Sequence, residues 1–310
     1  MREEEIALMS ALTLALDIGG TKVAAGLVDS RGALVHHATA PTPHGDAEAI
    51  WAAVEKLLVD TLRLAEGAVR GVGIGSAGPV DLPSGTVSPI NITEWQRFPI
   101  VERVESVSRL PVRLGGDGLC LALGEHWRGA GRGARYMLGM VVSTGIGGGL
   151  VFDGAPYAGR TGNAGHVGHV IVAPDDGAPC TCGGRGCVET IASGPHLVQW
   201  ARAQGWAAPE GADAKALAAA AESGDPLAIK AFRRGAAAIA AMIASVGAVC
   251  DLDLVVIGGG VAKSGDLLFT PIRDALAGYA GLTFLRTLRV VPAELGGDAG
   301  LVGAAALLRP

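Results

Sequence analysis

Two stretches of the sequence share one hydrophobic pattern, in which an apolar run is broken by a short glycine-rich segment and then resumes. The apolar run, the break and the resumed run are Leu12–Leu16, Asp17–Lys22 and Val23–Val28 in the first copy and Tyr136–Val142, Ser143–Gly149 and Leu150–Phe152 in the second. Short apolar runs next to glycine predict β-strands joined by turns. In the first copy a turn at Asp29–Gly32 leads to a third strand, Ala33–His37. A meander that recurs about 120 residues later predicts an internal repeat of two similar domains.

Elsewhere in the chain, predicted strands alternate with predicted helices. The strands are Gly71–Ile74, Val112–Leu114 and Leu254–Ile257, and the helices are Ala47–Glu66, Gly118–Gly129, a group between Pro195 and Cys250, and Ala299–Leu308. A loop is predicted at Gly75–Asn91. This alternation favours an α/β fold with layered sheets. We expect one α/β domain over residues 12–117 and a second over 118–298, with the closing helix, 299–308, returning to the first.

Length and composition limit the class of protein. The 310 residues, at 31.2 kDa, exceed what one hydrophobic core usually organises, which agrees with two domains. A chain that is 49% hydrophobic and 18% charged can bury enough apolar surface to fold, which excludes intrinsic disorder. The 25 basic and 30 acidic residues leave a net charge of −5. Nucleic acid is not an expected partner, because the chain lacks the overall positive charge that binds a phosphate backbone.

The sequence is not typical of an exported or membrane-inserted protein. The N-terminus carries the acidic run Glu3–Glu5, whereas a secretory signal has a positive start and a longer apolar core. The apolar stretch Gly235–Cys250 is shorter than a membrane span and follows two arginines, which predicts a buried alanine-rich helix. We therefore expect a cytoplasmic protein without a membrane partner. Cys120 and Cys250 stand alone among apolar residues and are expected to pack in the core.

Both glycine-rich breaks lead from strand to strand, whereas dinucleotide and P-loop motifs lead from a strand into a helix. Glycine and hydroxyl residues in a turn can instead present successive backbone N–H groups to an anionic oxygen. Two such turns, one in each domain, could hold the phosphates of a nucleotide, and the alternative is that both are ordinary hairpin turns. The candidates are Asp17, Gly19, Gly20, Thr21 and Lys22 in the first break and Ser143, Thr144, Gly145 and Gly147 in the second.

Two further features could belong to the same site. Gly258, Gly259 and Gly260 follow a predicted strand and leave room for a flat ligand. Asp17, at the mouth of the first break, could hold Mg²⁺ through water.

Asp117 follows a predicted strand and directly precedes a predicted helix. One explanation of a carboxylate at this place is that it caps the helix N-terminus. The other is that it acts as a general base, which takes the proton of a substrate hydroxyl that attacks a phosphoryl group.

Three cysteines and one histidine are crowded into a turn-rich insertion, Gly159–Glu189. His169, Cys180, Cys182 and Cys187 form an H-x10-C-x-C-x4-C pattern, and the glycines among them allow tight turns. Three thiolates and one imidazole make a complete tetrahedral ligand set for structural zinc. A redox cysteine cluster is the alternative, although the pattern lacks the C-x-x-C pair of thioredoxin-like sites.

From about Leu12 to Leu308 the chain resembles the ROK sugar kinases, which have the actin-like, ribonuclease H-like ATPase fold with two similar domains around a nucleotide and sugar cleft. The motifs that carry the resemblance are Asp17–Lys22, Ser143–Gly149 and Cys180–Glu189. The resemblance implies an ATP-dependent sugar kinase that uses Mg²⁺ and structural Zn²⁺, transfers the γ-phosphoryl group to a 6-hydroxyl, and forms a homodimer or higher homo-oligomer. It also implies that Asp117 is the catalytic base and that the sugar is bound by Gly78, Asn91, Asp117, His166, His169 and Glu189.

Two positions depart from the family's pattern. The family usually has Asn-Asp at Gly116-Asp117, and usually has Glu in place of His166. The neutral imidazole of His166 offers one donor and one acceptor, which makes a carbonyl-bearing substituent easier to accommodate. Some N-acetylmannosamine kinases of the family likewise carry His-x-Gly-His at this place. The resemblance implies glucose as the first substrate, N-acetylmannosamine as the second, and a modified sugar such as a carbocyclic analogue as the third. A sugar-binding sensor with weak catalysis is the alternative from another class.

Overall fold

A computed structural model describes residues 12–65 and 68–309 and divides them into two units by their internal contacts. The first unit contains the described residues up to Arg132, Gly149–Gly165, and those from Gly297 onwards. The second contains Gly133–Gly148 and His166–Gly296. The domain limits expected from the sequence are 12–117 and 118–298, and they stay a prediction.

The strands and helices of the described residues alternate along most of the chain. The strands are β1 (Leu12–Ile18), β2 (Lys22–Val28), β3 (Leu34–Pro41), β4 (Val69–Ser76), β5 (Val80–Asp81), β6 (Thr86–Val87), β7 (Val112–Gly116), β8 (Tyr136–Val142), β9 (Ile146–Phe152), β10 (Ala155–Tyr157), β11 (Leu254–Gly258) and β12 (Arg289–Pro292). The helices are α1 (Ala47–Leu64), α2 (Ile100–Ser108), α3 (Asp117–Arg128), α4 (Glu189–Ala192), α5 (Gly194–Ala203), α6 (Ala214–Glu222), α7 (Pro226–Cys250), α8 (Asp266–Tyr279) and α9 (Ala299–Ala306).

The first sheet has the order β3-β2-β1-β4-β7. β1 and β3 pair with β2 in antiparallel fashion, and β4 pairs with β1 and β7 in parallel fashion. The second sheet has the order β10-β9-β8-β11-β12, in which β11 pairs in parallel with β8 and β12. Both sheets place a meander of three strands beside two parallel strands, which confirms the predicted internal repeat and the α/β class.

The alternation of residues along β1 divides the first unit into layers. Leu14, Leu16 and Ile18 are fully buried and pack with residues of α1 and α2 in one core cluster. Ala15 points to the other side of the sheet, where it packs with Cys120 of α3 and with residues of α9. The first sheet is therefore covered by helices on both faces, which is typical of α/β proteins.

Helix α9 approaches its neighbours closely because glycines face it. A Cβ atom at Gly73 of β4 would lie 1.9 Å from the carbonyl oxygen of Ala304, and one at Gly124 of α3 would lie 2.3 Å from that of Ala299. Conversely, a Cβ atom at Gly303 of α9 would lie 1.5 Å from the carbonyl oxygen of Cys120. These contacts hold α9 against both the sheet and α3, whose first residue is Asp117.

Helix α7 is the apolar helix that the sequence places before Cys250. Its 25 residues, with a mean hydropathy of 1.3 in the most apolar window, make it long and apolar enough to span a membrane by length and composition, but half of that window is buried. The helix is therefore longer than the apolar stretch considered in the sequence, because it starts at Pro226 rather than near Gly235. Its burial agrees with the predicted core helix, although Cys250 at its end is only half-buried.

Several predicted elements differ in extent from the observed ones. β1 continues through Asp17 and Ile18, and β9 begins at Ile146, so the breaks shorten to Gly19–Thr21 and Ser143–Gly145. Part of the loop predicted at Gly75–Asn91 is a hairpin of β5 and β6. The sequence pattern did not predict α2, α4, α8, β10 or β12. The predicted end of α1 at Glu66 lies outside the described residues.

Candidate active site

The first turn, Gly19–Thr21, links β1 to β2 and is closed by backbone hydrogen bonds. The N–H of Gly19 donates to the carbonyl oxygen of Lys22 at 3.0 Å, and the hydroxyl of Thr42 donates to the carbonyl oxygen of Gly19 at 2.6 Å. Thr21 and Lys22 are exposed. The hydrogen bonds fix the backbone of this turn while its exposed side faces solvent, as a phosphate-binding turn requires.

Two residues predicted to bind sugar lie in the loop after β4. Gly20 has no room for a side chain, because a Cβ atom there would lie 2.8 Å from the side chain of Asn91. The carbonyl oxygen of Gly78 accepts from the N–H of Ile90 at 3.2 Å, which holds the loop on itself. Asn91 and the first turn are therefore brought together, as the sequence could not have shown.

Asp17 and Asp117 lie near each other at the ends of β1 and β7. Burial raises the pKa of Asp17 to about 6, the charge of Asp117 adds to the increase, and Lys22 opposes it. Part of the Asp17 side chain still reaches solvent, whereas Asp117 is exposed. Two carboxylates that repel each other favour a bound cation, which fits the predicted magnesium site.

Asp117 is the first residue of α3 rather than the residue that precedes it. Gly116 occupies the N-cap position and makes no side-chain hydrogen bond, and Oδ1 of Asp117 accepts from the N–H of Gly118 at 2.7 Å. Asp117 therefore does not occupy the N-cap position that the capping explanation assumes. Gly116 itself has open space where a side chain would be.

The second turn, Ser143–Gly145, links β8 to β9. The N–H of Ser143 donates to the carbonyl oxygen of Gly145 at 2.9 Å, which closes the turn. Gly147 lies in β9 rather than in the turn. Glu189, which the resemblance places against the sugar, accepts at Oε2 from the N–H of Ile146 at 2.7 Å.

A cavity of about 580 Å³ in the second unit opens beside the second turn. It is lined by Ser143, Thr144, Gly194, Pro195, Val198, Gln199, Arg202, Ala212, Asp213, Ala214, Lys215, Gly260 and Val261. Two cationic side chains and an apolar wall suit the phosphates and base of a nucleotide, and the volume is that of a small-molecule site.

Sequence reasoning found only part of this cavity. Of the predicted nucleotide residues, Ser143, Thr144 and Gly260 line it. Gly258 ends β11, and Gly259 has a positive φ of 97° with no room for a Cβ atom beside the carbonyl oxygen of Val142. The residues from α5 and α6 carry no motif, so no pattern in the sequence pointed to Arg202 or Lys215.

The cysteine and histidine ligand atoms converge as a zinc site requires. The atoms of His169, Cys180, Cys182 and Cys187 all lie within 4.8 Å of one another. Sγ of Cys180 lies 3.6 Å from Nδ1 of His169, and Sγ of Cys182 lies 3.8 Å from Sγ of Cys187. Tetrahedral zinc with bonds of about 2.0 to 2.3 Å places its ligand atoms roughly 3.5 to 3.8 Å apart, so this set fits the ion.

Glycine permits the turns of the cysteine segment. Gly183 and Gly186 have positive φ values of 88° and 73°, and a Cβ atom at Gly186 would lie 2.0 Å from the carbonyl oxygen of Ala173. The N–H of Gly184 donates to Sγ of Cys182 at 3.4 Å. N–H bonds to sulfur stabilise the thiolate form, which is the form that binds metal.

The two histidines of the His166–His169 segment lie side by side. Their ring centroids are 6.2 Å apart, and His166 is exposed whereas His169 is half-buried. Since Nδ1 of His169 faces Cys180, its other ring nitrogen is the atom that could face a ligand.

The chain matches known proteins over nearly its whole length. The profile of the ROK family matches residues 13–310. The glucokinase of Streptomyces coelicolor is 36% identical over 96% of this chain and 98% of its own length. The N-acetylmannosamine kinase of Yersinia pseudotuberculosis is also 36% identical, over 94% of this chain and 96% of its own.

A solved structure shows the same fold. The ROK family glucokinase from Streptomyces griseus, in complex with glucose and AMPPNP, superposes with a TM-score of 0.82 at 37% identity, covering 96% of this chain and 99% of that one. The chain belongs to the ROK family, and the resemblance drawn from its motifs is confirmed together with the actin-like α/β fold.

Proposed function

We propose that this protein is an ATP-dependent sugar kinase that transfers the γ-phosphoryl group of ATP to the 6-hydroxyl of a hexose, with glucose as the first candidate. The observation that carries the proposal is the pair of carboxylates beside the first turn, one largely surrounded by protein with a raised pKa and one exposed. Family membership and relatives named as glucokinases support the same function.

The residues take distinct roles in this proposal. Asp117 is exposed and would accept the proton of the sugar hydroxyl as that oxygen attacks phosphorus. The backbone N–H groups of the two turns would bind phosphate oxygens, and Arg202 and Lys215 add positive charge at the nucleotide cavity. Mg²⁺ held by Asp17 through water would neutralise charge on the phosphates.

The cysteine and histidine cluster would hold one structural zinc. All four of its positions are protein ligands, so the ion would fix the segment and leave no coordination place for a reacting water. With Nδ1 on the metal, His169 would present its other nitrogen to a sugar hydroxyl. The other sugar contacts that the family resemblance implies are Gly78, Asn91, His166 and Glu189. A homodimer or higher homo-oligomer in the cytoplasm completes the proposal.

N-acetylmannosamine is the second candidate substrate. The observation in its favour is His166, because an exposed neutral imidazole offers one donor and one acceptor and suits an amide, whereas a glutamate offers two acceptors for a pair of hydroxyls. The relative of Yersinia pseudotuberculosis, named for that sugar, supports it. Gly116 argues against this substrate, because such kinases of the family generally keep asparagine there, and the open space at this position should relax recognition of the sugar's 3- and 4-hydroxyls.

The test is sugar-dependent release of ADP by the purified protein with Mg·ATP, measured for glucose, mannose, N-acetylmannosamine and a carbocyclic analogue. We expect phosphorylation of at least one, and mass spectrometry identifies the product. ADP release no faster than in buffer, together with calorimetric sugar binding, would establish the sensor instead. In the variant His166→Glu, kcat/KM should shift toward glucose, whereas His37→Glu, exposed on strand β3, should leave the preference unchanged.

A further inference from the structure

One segment, residues 187–194, holds the second turn at both of its ends. At the start of the turn, the carbonyl oxygen of Ser143 accepts from the N–H of Gly194 at 2.8 Å. Directly after it, the N–H of Ile146 donates to Oε2 of Glu189 at 2.7 Å. A charged acceptor makes the second of these bonds about twice as strong as a neutral one.

Packing restricts the same turn further. A Cβ atom at Gly145 would lie 2.7 Å from Oε2 of Glu189, so the turn and the carboxylate touch without an intervening side chain. At the carbonyl group of the same residue, a Cβ atom at Gly168 would lie 1.9 Å from the oxygen of Ile146. The backbone of Ile146 is therefore fixed from two directions.

Both of these contacts come from neighbours of predicted zinc ligands. Glu189 follows Cys187 by two residues, and Gly168 directly precedes His169. The hydroxyl of Thr190 donates to the carbonyl oxygen of Cys187 at 2.7 Å, which ties the start of α4 to the ligand segment. An ion that fixes Cys187 and His169 thus also fixes the two groups that hold Ile146.

We infer that Glu189 is a positioning residue for the nucleotide, and that the zinc-binding segment sets the shape of the second phosphate turn through it. The inference rests on the proposed function, because it takes Ser143 and Thr144, which line the cavity, as nucleotide contacts. One carboxylate then serves two ligands: Oε2 holds the phosphate turn, and Oε1 is left to meet the sugar. The role in nucleotide binding goes beyond the sugar contact that the resemblance implies.

The experiment is calorimetric binding of Mg·AMPPNP in the absence of any sugar. Glu189→Ala removes the acceptor of the Ile146 N–H, and affinity should fall about tenfold or more. Glu189→Gln keeps an acceptor oxygen and should stay within about threefold of the native affinity. The control Glu222→Ala changes an exposed carboxylate at the end of α6 and should have no effect.

A residue that only contacts sugar would not change this affinity, so native affinity in a folded Glu189→Ala variant would overturn the inference. Zinc content and the melting temperature establish whether that variant is folded. If the variant does not fold, the second measurement is the affinity of the native protein for Mg·AMPPNP after a chelator has removed zinc. This affinity should fall about tenfold, and an unchanged affinity would overturn the inference. A native protein that binds no adenine nucleotide would overturn the proposed function as well.

Discussion

The carboxylate of Asp17 is buried among protein atoms and lies near the carboxylate of Asp117. Burial and the repulsion between the two negative charges both disfavour the ionised form of Asp17. Its pKa is about 6 in the folded protein, against an ordinary value of 3.8. Between pH 3.8 and about 6, the side chain of Asp17 therefore stays protonated in the folded protein but is ionised in the unfolded chain. Stability of the unliganded protein falls as the pH rises through this window and stays lower above it, by at most about 3 kcal/mol.

Asp17→Asn should therefore raise the melting temperature of the unliganded protein at pH 8 and have little effect at pH 4, because the native side chain is already neutral there. Turnover should fall, since the variant loses the carboxylate that is proposed to hold Mg²⁺ through water. Thermal unfolding at the two pH values is the measurement, with Asp274→Asn, exposed on α8, as the control that should show no such pH dependence. An equal change in melting temperature at both pH values would refute the electrostatic explanation.

The residues that the sequence could and could not identify differ in one respect. Asp17, Asp117 and the cysteines stand in short motifs whose spacing is itself the requirement of the chemistry. Glu189 also ends such a motif, but its contact with Ile146 spans 43 positions of sequence. Arg202 and Lys215 line the cavity from separate helices and stand in no motif. Such contacts depend on how the elements pack, which no local pattern encodes.

Helix α9 depends on glycine for its close approach to α3. Gly303→Ala would place a Cβ atom 1.5 Å from the carbonyl oxygen of Cys120, and because that atom belongs to backbone, it cannot rotate away. Overpacking of this kind costs about 1 to 3 kcal/mol or more, and it would also shift the helix that begins at Asp117. Chemical denaturation measures the free energy of unfolding.

Gly278→Ala is the matched control, since the position lies in α8, is exposed and has open space for a Cβ atom. Alanine is a better helix former, so this variant should be about 0.5 to 1 kcal/mol more stable than the native protein. If Gly303→Ala is as stable as Gly278→Ala, this result would contradict the close packing of α9 against α3.

The cluster of His169 and the three cysteines Cys180, Cys182 and Cys187 leads to a separate prediction. Purified protein should contain one zinc per chain, and Cys182→Ser should lower the zinc content and make residues 166–189 more sensitive to protease. Cys250→Ser, outside the cluster, should change neither property. Elemental analysis and limited proteolysis measure both, and full zinc content in Cys182→Ser would exclude that residue as a ligand.

Elements that were missed are short or carry residues that are unusual for their type of structure. α2 has only 9 residues, which is shorter than the stretch over which a helical period is normally recognised. α8 contains Pro271, a residue that normally ends a helix. β9 begins with three glycines after Ile146, which resemble a loop in the sequence although they pair in the sheet.

For the molecule as a whole, the repeated meander was the informative signal. Two sheets with the same order of strands follow from two copies of one hydrophobic pattern, so the α/β class could be predicted without any contact being known. The choice of sugar could not be predicted from the sequence, because it depends on where His166 and Gly116 lie relative to a bound ligand. The glucokinase and the N-acetylmannosamine kinase compared above share the same 36% identity with this chain.

The most direct test of the account is the turnover of Asp117→Asn with the preferred sugar and saturating Mg·ATP. The amide keeps the size of the side chain but cannot accept the proton of the hydroxyl, so sugar-dependent ADP formation should fall about 10²- to 10⁴-fold. Calorimetry should find sugar and Mg·AMPPNP bound within about threefold of the native affinities. Turnover within about threefold of the native rate, in a variant that binds both ligands, would contradict the role of Asp117 as the catalytic base.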